Sequence, residues 1–314
     1  MSFSRYKIIF FGTPEFASVI LEKLADSEFR PFLVVTASDK PAGRKGILAV
    51  PSVKKTAEKK QIPFWQLDSL KDTGIAKKMF SLSPDLFIVA AYGLILPREI
   101  LAIPKFGALN VHPSLLPKYR GAAPIQASIL AGDKITGVSL MLMDEKIDHG
   151  PIIAQKKIKI KNKETMLDLS EKLSLLGANL LIDILPKWLK NRIKAKKQNH
   201  KKASFTQQIK KEHGQINWSK SAQEIEQMFR AYQPWPGIYT FFQGKKIKII
   251  TLEISKIKTF YQPGNIFLTT EKELAVMTKK NAIILKEVQQ EGKNAVSGKS
   301  FLNGHPQLIN AILD

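Results

Sequence analysis

The chain has 314 residues, 44% of them hydrophobic, and a formal net charge of +22. That length supports a substantial core and two domains, and the positive balance attracts polyanions without deciding the fold. There is no cysteine, which excludes disulfides, thiolate zinc sites and cysteine nucleophiles.

Residues 6–11 (YKIIFF) form a short apolar run and read as a buried strand. Gly12 breaks it, Thr13 can cap a helix, and Pro14 and Glu15 suit that helix's first turn. Phe16, Val19, Ile20 and Leu24 then recur at helical spacing. The pattern repeats, with strands expected at 32–36, 62–65, 85–91, 108–112 and 137–143 and helices at 52–60, 75–82 and 123–131. Near-continuous apolar strands alternating with helices imply a mostly parallel sheet covered on both faces. In such sheets the site lies at the carboxyl ends of the strands.

A long amphipathic helix is expected at 166–188, with Leu167, Leu169, Leu173, Leu176, Leu180 and Ile184 as its apolar face. Lys and Arg then crowd residues 187–202, which read as a linker. After a further helix at 222–231, short strands at 238–242, 246–254, 264–269, 274–278 and 282–288 suggest a small β-barrel. The expected division is 1–189, a basic linker at 190–206, and 207–314. No apolar run is long enough to cross a bilayer. The strand-like run at Tyr6 leaves no room for a signal peptide. A cytoplasmic protein with no membrane partner is therefore expected.

The first strand is followed by Gly12-Thr13-Pro14-Glu15 and not by GxGxxG, which argues against a dinucleotide site. The informative segment is NVHPSLLPKYRG at 110–121. Residues two apart on a strand point to the same side, so Asn110 and His112 project together. Pro113 and Pro117 stiffen the loop that follows. Asp148 comes shortly after the strand ending at Met143, and an adjacent strand would bring it near His112. Taken singly, each has an ordinary explanation: Asn110 as a turn or cap residue, His112 as a structural histidine, Asp148 as turn chemistry. His149, His200, His213 and His305 read as surface residues, and no metal cluster is visible in the sequence.

NVHPSLLP followed by a downstream Asp and Gly resembles the signature of the folate-dependent formyltransferases. FFGTPEFA at 10–17, KPAGRKG at 40–46, RGAAPIQASILAGD at 120–133, RAYQPWPG at 230–237 and GKNAVSGKSFLNG at 292–304 are also similar to this family, so the resemblance covers nearly the whole chain. The SLLP motif alone does not separate formylation of a charged tRNA from that of a glycinamide ribonucleotide or an amino sugar. The last three blocks favour the tRNA branch.

The resemblance implies a Rossmann-like α/β formyltransferase domain followed by a smaller β-barrel (OB-like) domain. It implies a monomer that takes formyl from 10-formyltetrahydrofolate, without a metal, and passes it to the amino group of a charged initiator tRNA (methionyl-tRNA). Asn110 is implied as an oxyanion donor, His112 as a second donor or proton shuttle, and Asp148 as the group that orients the imidazole. Folate contacts are implied for Ser114, Leu115, Leu116 and Pro117, for Tyr92, Gly93, Leu94, Ile95 and Pro97, and for Leu142, Asp144 and Ile147. Lys40, Arg44 and Lys45 are implied to meet the tRNA acceptor end. The rival classes are another 10-formyltetrahydrofolate-dependent transferase and a non-catalytic RNA-binding protein.

Overall fold

A computed structural model describes residues 5–42, 47–256 and 261–314. The chain divides into two compact units. One comprises Met1–Pro124, Lys134–Ile160 and Asp168–Gln207; the other comprises Ile125–Asp133, Lys161–Leu167 and Gln208–Asp314.

In chain order the elements begin with β1 (Ile8–Gly12), α1 (Glu15–Ala25), β2 (Leu33–Thr36), β3 (Lys40–Ala42), β4 (Ile47–Ala49), α2 (Ser52–Lys59), β5 (Phe64–Gln66) and α3 (Thr73–Ser81). They continue with β6 (Leu86–Ala90), α4 (Arg98–Leu101), β7 (Ala108–His112), β8 (Arg120–Gly121), α5 (Pro124–Leu130), β9 (Ile135–Leu142), β10 (Ile152–Lys159), α6 (Met166–Leu189) and β11 (Phe205–Thr206).

A seven-stranded sheet organises the first unit in the order β10-β9-β7-β6-β1-β2-β5. The five strands from β7 to β5 are parallel, while β9 runs antiparallel to β7 and β10 antiparallel to β9. Every residue of β1 and β6 is buried, as central strands covered on both faces require. Burial of each large apolar side chain here contributes roughly 1.5–3 kcal/mol. α6 approaches the sheet closely through Gly177, where a Cβ would lie 2.7 Å from Val111 Cγ1.

Local departures from expectation have identifiable causes. Thr13 does not cap α1; its hydroxyl donates to the Tyr92 carbonyl at 2.9 Å, and Pro14 occupies the cap position. β10 is a strand that apolar runs could not reveal. It lies at the sheet edge with only Ile153 buried and Gln155, Lys156 and Lys157 all exposed, and its sequence IIAQKKIK is half polar. The basic loop near Lys40 is framed by a short hairpin, in which Lys40 pairs Ala49 and Pro41 pairs Leu48. The stretch expected as a linker is built into the first unit: Lys196 exchanges two backbone hydrogen bonds with Ile152, and β11 pairs in parallel with β8.

The second unit contains α7 (Ala222–Tyr232), β12 (Ile238–Phe242), β13 (Lys245–Ser255), β14 (Ile266–Leu268), β15 (Leu274–Met277), β16 (Ala282–Gln290), β17 (Ala295–Ser297) and α8 (Gly298–Asn303). Its antiparallel sheet runs β12-β13-β16-β15-β14, with β17 also paired to β16. Along β13, Ile247 and Ile249 are buried while Lys246 and Lys248 face the other way. Those lysines are not simply solvated. The Lys246 ammonium lies 3.3 Å from the centroid of the Tyr239 ring, and burial, aided by nearby Lys211, lowers its pKa. Among the described residues, no helix is long and apolar enough to cross a membrane.

Candidate active site

Asn110 and His112 stand two residues apart on β7, so they share one face at the end of the strand. The adjacent β9 pairs Asn110 with Met141 and His112 with Ser139. The chain leaving β9 turns sharply through Asp148, which has a left-handed φ of 48°. Two residues later, Gly150 passes so close to Leu142 that a Cβ would sit 1.9 Å from its carbonyl oxygen. Only glycine allows this return, and the return aims Asp148 back at β7.

The three side chains converge. Asn110 Nδ2 donates to Asp148 Oδ1 at 3.2 Å, and His112 Nδ1 lies 3.5 Å from the same oxygen. Asp148 Oδ2 accepts the Gly121 backbone N–H at 2.8 Å. The His112 and Asp148 side chains are only 5% and 12% exposed, so these contacts are little diluted by water.

The tautomer follows from the partners. His112 Nε2 lies 3.0 Å from the Tyr119 carbonyl oxygen, which can only accept. Nε2 therefore carries a hydrogen, and the position free to gain or lose a proton is Nδ1, beside Asp148. Strand spacing paired Asn110 with His112, and the family resemblance supplied Asp148. They gave no hint of these backbone partners, because a peptide group is the same in every residue.

A cleft of about 430 Å³ opens over this centre. Its apolar wall includes Leu94, Ile95, Leu96, Val111, Met141, Met143 and Ile147; its polar groups include Asn110, His112, Asp144 and Asp148. Of the expected folate contacts, Tyr92, Gly93, Leu94, Ile95, Asp144 and Ile147 line the cleft. Pro97, Ser114, Leu115, Leu116, Pro117 and Leu142 stand outside that lining. Ser114 and Leu116 are buried. Their loop is pinned from below, where the Ser139 hydroxyl donates to the Ser114 carbonyl and accepts the Leu116 N–H, and Gln155 donates to the Leu116 carbonyl.

Tyr92 is buried with its hydroxyl unpartnered among the described residues, and burial raises its pKa. Tyr92, Gly93 and Leu94 also border a second cavity of about 420 Å³ at the ends of β1, β2 and β5. Lys40 lies on the wall of that cavity, whereas Arg44 and Lys45 fall outside the described residues.

One more polar group touches the centre. Gln198 donates to the Asp148 carbonyl at 2.9 Å, although it belongs to the basic stretch that composition marks as a linker. His149 and His200, expected as surface residues, stack at 4.1 Å between ring centroids. His149 Nδ1 lies 2.6 Å from Asp144 Oδ2.

Residues 6–185 match the formyl transferase family model, and residues 208–306 match the model for the formyl transferase C-terminal domain. A methionyl-tRNA formyltransferase of Thermodesulfovibrio yellowstonii is 44% identical over 297 residues, covering 95% of each chain. The methionyl-tRNA formyltransferase of Caldicellulosiruptor saccharolyticus is 45% identical over 302 residues, covering 95% of this chain and 96% of that one. Among solved structures, an N-formyltransferase of Helicobacter canadensis, in complex with folinic acid and dTDP-3-aminofucose, superposes with a TM-score of 0.63 at 23% identity. It covers 89% of this chain and 98% of that one. A 4-N formyltransferase of Francisella tularensis gives 0.63 at 20% identity, covering 81% and 100%. These structural likenesses establish the fold, and the sequence matches establish the kinship: the chain belongs to the formyl transferase family.

Proposed function

We propose that this chain transfers the formyl group of 10-formyltetrahydrofolate to the α-amino group of methionyl-tRNA, giving N-formylmethionyl-tRNA for translation initiation. The observation that carries the chemistry is the convergence of Asn110, His112 and Asp148 at the foot of one cleft. The choice of acceptor rests on full-length relatives that carry this activity in their names.

The cleft suits the donor. A pterin ring is flat and amphipathic, and the wall offers Leu94, Ile95, Met143 and Ile147 beside backbone groups of residues 92–95. Asp144 contributes a carboxylate at the same wall. Ser114, Leu115, Leu116 and Pro117 serve this site by shaping the loop beneath it, and Pro97 and Leu142 by supporting neighbouring turns.

The donor supplies the formyl carbon; the protein supplies charge stabilisation and proton transfer. An α-amino group has a pKa near 7.7–8.0, and esterification lowers it, so the amine needs little activation at neutral pH. The demanding task is the negative charge that builds on the formyl oxygen as nitrogen attacks. Asn110 uses one amide N–H on Asp148, which leaves the other to face the cleft and meet that charge. His112, with Nε2 committed to Tyr119, takes the proton of the attacking nitrogen at Nδ1 and delivers it to the departing nitrogen. Asp148 holds both partners in register and balances the imidazolium that forms transiently.

The second unit and the Lys40 loop, with Arg44 and Lys45, hold the tRNA through its phosphates. The decisive assay offers labelled formyl donor with charged initiator tRNA, with uncharged tRNA and with small amines. Transfer to charged tRNA alone is expected. Transfer to an amino sugar or a glycinamide, with none to tRNA, would overturn the reading.

A further inference from the structure

The backbone groups seen to orient the catalytic side chains lie in two short stretches, 119–121 and 148–150. Tyr119 provides the carbonyl for His112, Gly121 the N–H for Asp148, and Asp148 lies on the turn itself. A single downstream segment holds both stretches. The Ser204 carbonyl accepts the Arg120 N–H at 2.8 Å, and the Ser204 hydroxyl accepts the Tyr119 N–H at 2.9 Å. Phe205 and Thr206 pair with Arg120 and Gly121. Lys196 pairs with Ile152, just beyond the Asp148 turn.

Gln198 is the one side chain of this segment that reaches the Asp148 backbone. It is 6% exposed, and its Nε2 donates to the carbonyls of Asp148 at 2.9 Å and Gly150 at 2.7 Å. Its Oε1 accepts from Arg120 Nη2 at 2.7 Å. Arginine can only donate and carbonyls can only accept, so the amide has a single orientation that satisfies all three. Asp148 turns through the left-handed region at φ 48°, uncommon outside glycine though Asp tolerates it better than most, and the two hydrogen bonds from Gln198 hold that turn. Gln198 lies between the two matched regions, 6–185 and 208–306.

We infer that Gln198 is a positioning residue for formyl transfer, fixing the carboxylate of Asp148 by holding the turn that carries it. The inference rests on the reaction proposed above. Gln198 touches none of the reacting atoms. It acts because a misplacement of about 1 Å at the reacting centre costs on the order of a hundredfold in rate.

The test uses the full chain with Gln198→Met, which keeps length and apolar volume, and Gln198→Glu, which keeps the acceptor for Arg120 but removes the donor to the two carbonyls. Each is assayed with 10-formyltetrahydrofolate and methionyl-tRNA, alone and combined with Asp148→Asn. In both single variants kcat is expected to fall about ten- to a hundredfold, with both KM values within about twofold of wild type. In the Asp148→Asn background Gln198→Met should cost less than about threefold more, since the group it positions is already disabled. A crystal structure of Gln198→Met should show the Asp148 carboxylate drawn away from Asn110 Nδ2 and Gly121 N.

An unchanged kcat, or the same loss in the Asp148→Asn background, overturns the inference. So does a Gln198→Met structure with the carboxylate in place. Wild-type protein that fails to formylate methionyl-tRNA overturns the proposed function instead, and the crystal structure still decides whether Gln198 sets the carboxylate.

Discussion

The Tyr119 carbonyl takes the hydrogen of His112 Nε2, which leaves Nδ1, 3.5 Å from Asp148 Oδ1, as the only ring position able to exchange a proton. Asp148 is bound by donors on both oxygens, Asn110 on one and Gly121 on the other. Asp148→Asn therefore sets an amide N–H₂ against an existing donor whichever way it turns. The expected result is a folded protein with kcat reduced about a hundredfold or more. A variant within a few-fold of wild-type turnover would show that the carboxylate is not needed there.

On the proposed mechanism, Asn110→Ala and His112→Ala remove the groups that would meet the charge and carry the proton. Losing one oxyanion donor typically costs about 2.7–4 kcal/mol of transition-state stabilisation. Each variant should lose at least that much in kcat while its thermal unfolding stays near wild type. The two losses should not add, because both side chains share Asp148. Full additivity in the double variant would mean that they act independently.

Gly177 supports the site from behind. Val111 sits between Asn110 and His112 on β7, and a Cβ at position 177 would press on its methyl at 2.7 Å. Gly177→Val overpacks this contact, and overpacking costs typically 1–3 kcal/mol. Because the pressure bears on β7, turnover should fall together with stability, and Val111→Ala should restore part of both. No recovery would place the damage elsewhere in α6.

How much of this was legible in the sequence depends on the kind of information involved. Strands β1 and β6 are continuous apolar runs with every residue buried, so composition alone locates them. Asn110 and His112 announce themselves through the two-residue repeat of a strand. β10 was not legible, because an edge strand needs only one apolar face. Gln198 was not legible either. It stands among lysines that point to solvent, and nothing local distinguishes an amide folded back onto two carbonyls. The backbone partners of His112 and Asp148 lie beyond any reading of residue type.

The second unit carries a pH-sensitive helix cap. The Ser221 N–H and hydroxyl both donate to Glu224 Oε2, at 2.9 and 2.8 Å, which pulls the Glu224 pKa from 4.5 down to about 2. A depressed carboxylate pKa stabilises the folded state above the unfolded-state pKa and loses that effect as pH falls through the folded-state value. Glu224→Gln should thus unfold at lower denaturant than wild type at pH 7, with the gap closing between about pH 4.5 and 2. The carboxylate is about half exposed, so the gap is small. A gap that widens on acidification would contradict the sign of this linkage.

Salt provides the sharpest check on the acceptor. With a net charge of +22, the chain should bind tRNA largely by displacing counterions from phosphates. The logarithm of affinity for methionyl-tRNA should then fall linearly with the logarithm of salt, losing on the order of a thousandfold between about 50 and 200 mM. The KM for the formyl donor should respond far less, because its cleft is lined mainly by apolar side chains. Lys40→Ala and Arg44→Ala should each reduce the salt slope by about one, as removal of a single phosphate contact does. Equal salt dependence for tRNA and for a small amine acceptor would mean that the positive charge serves something other than substrate capture.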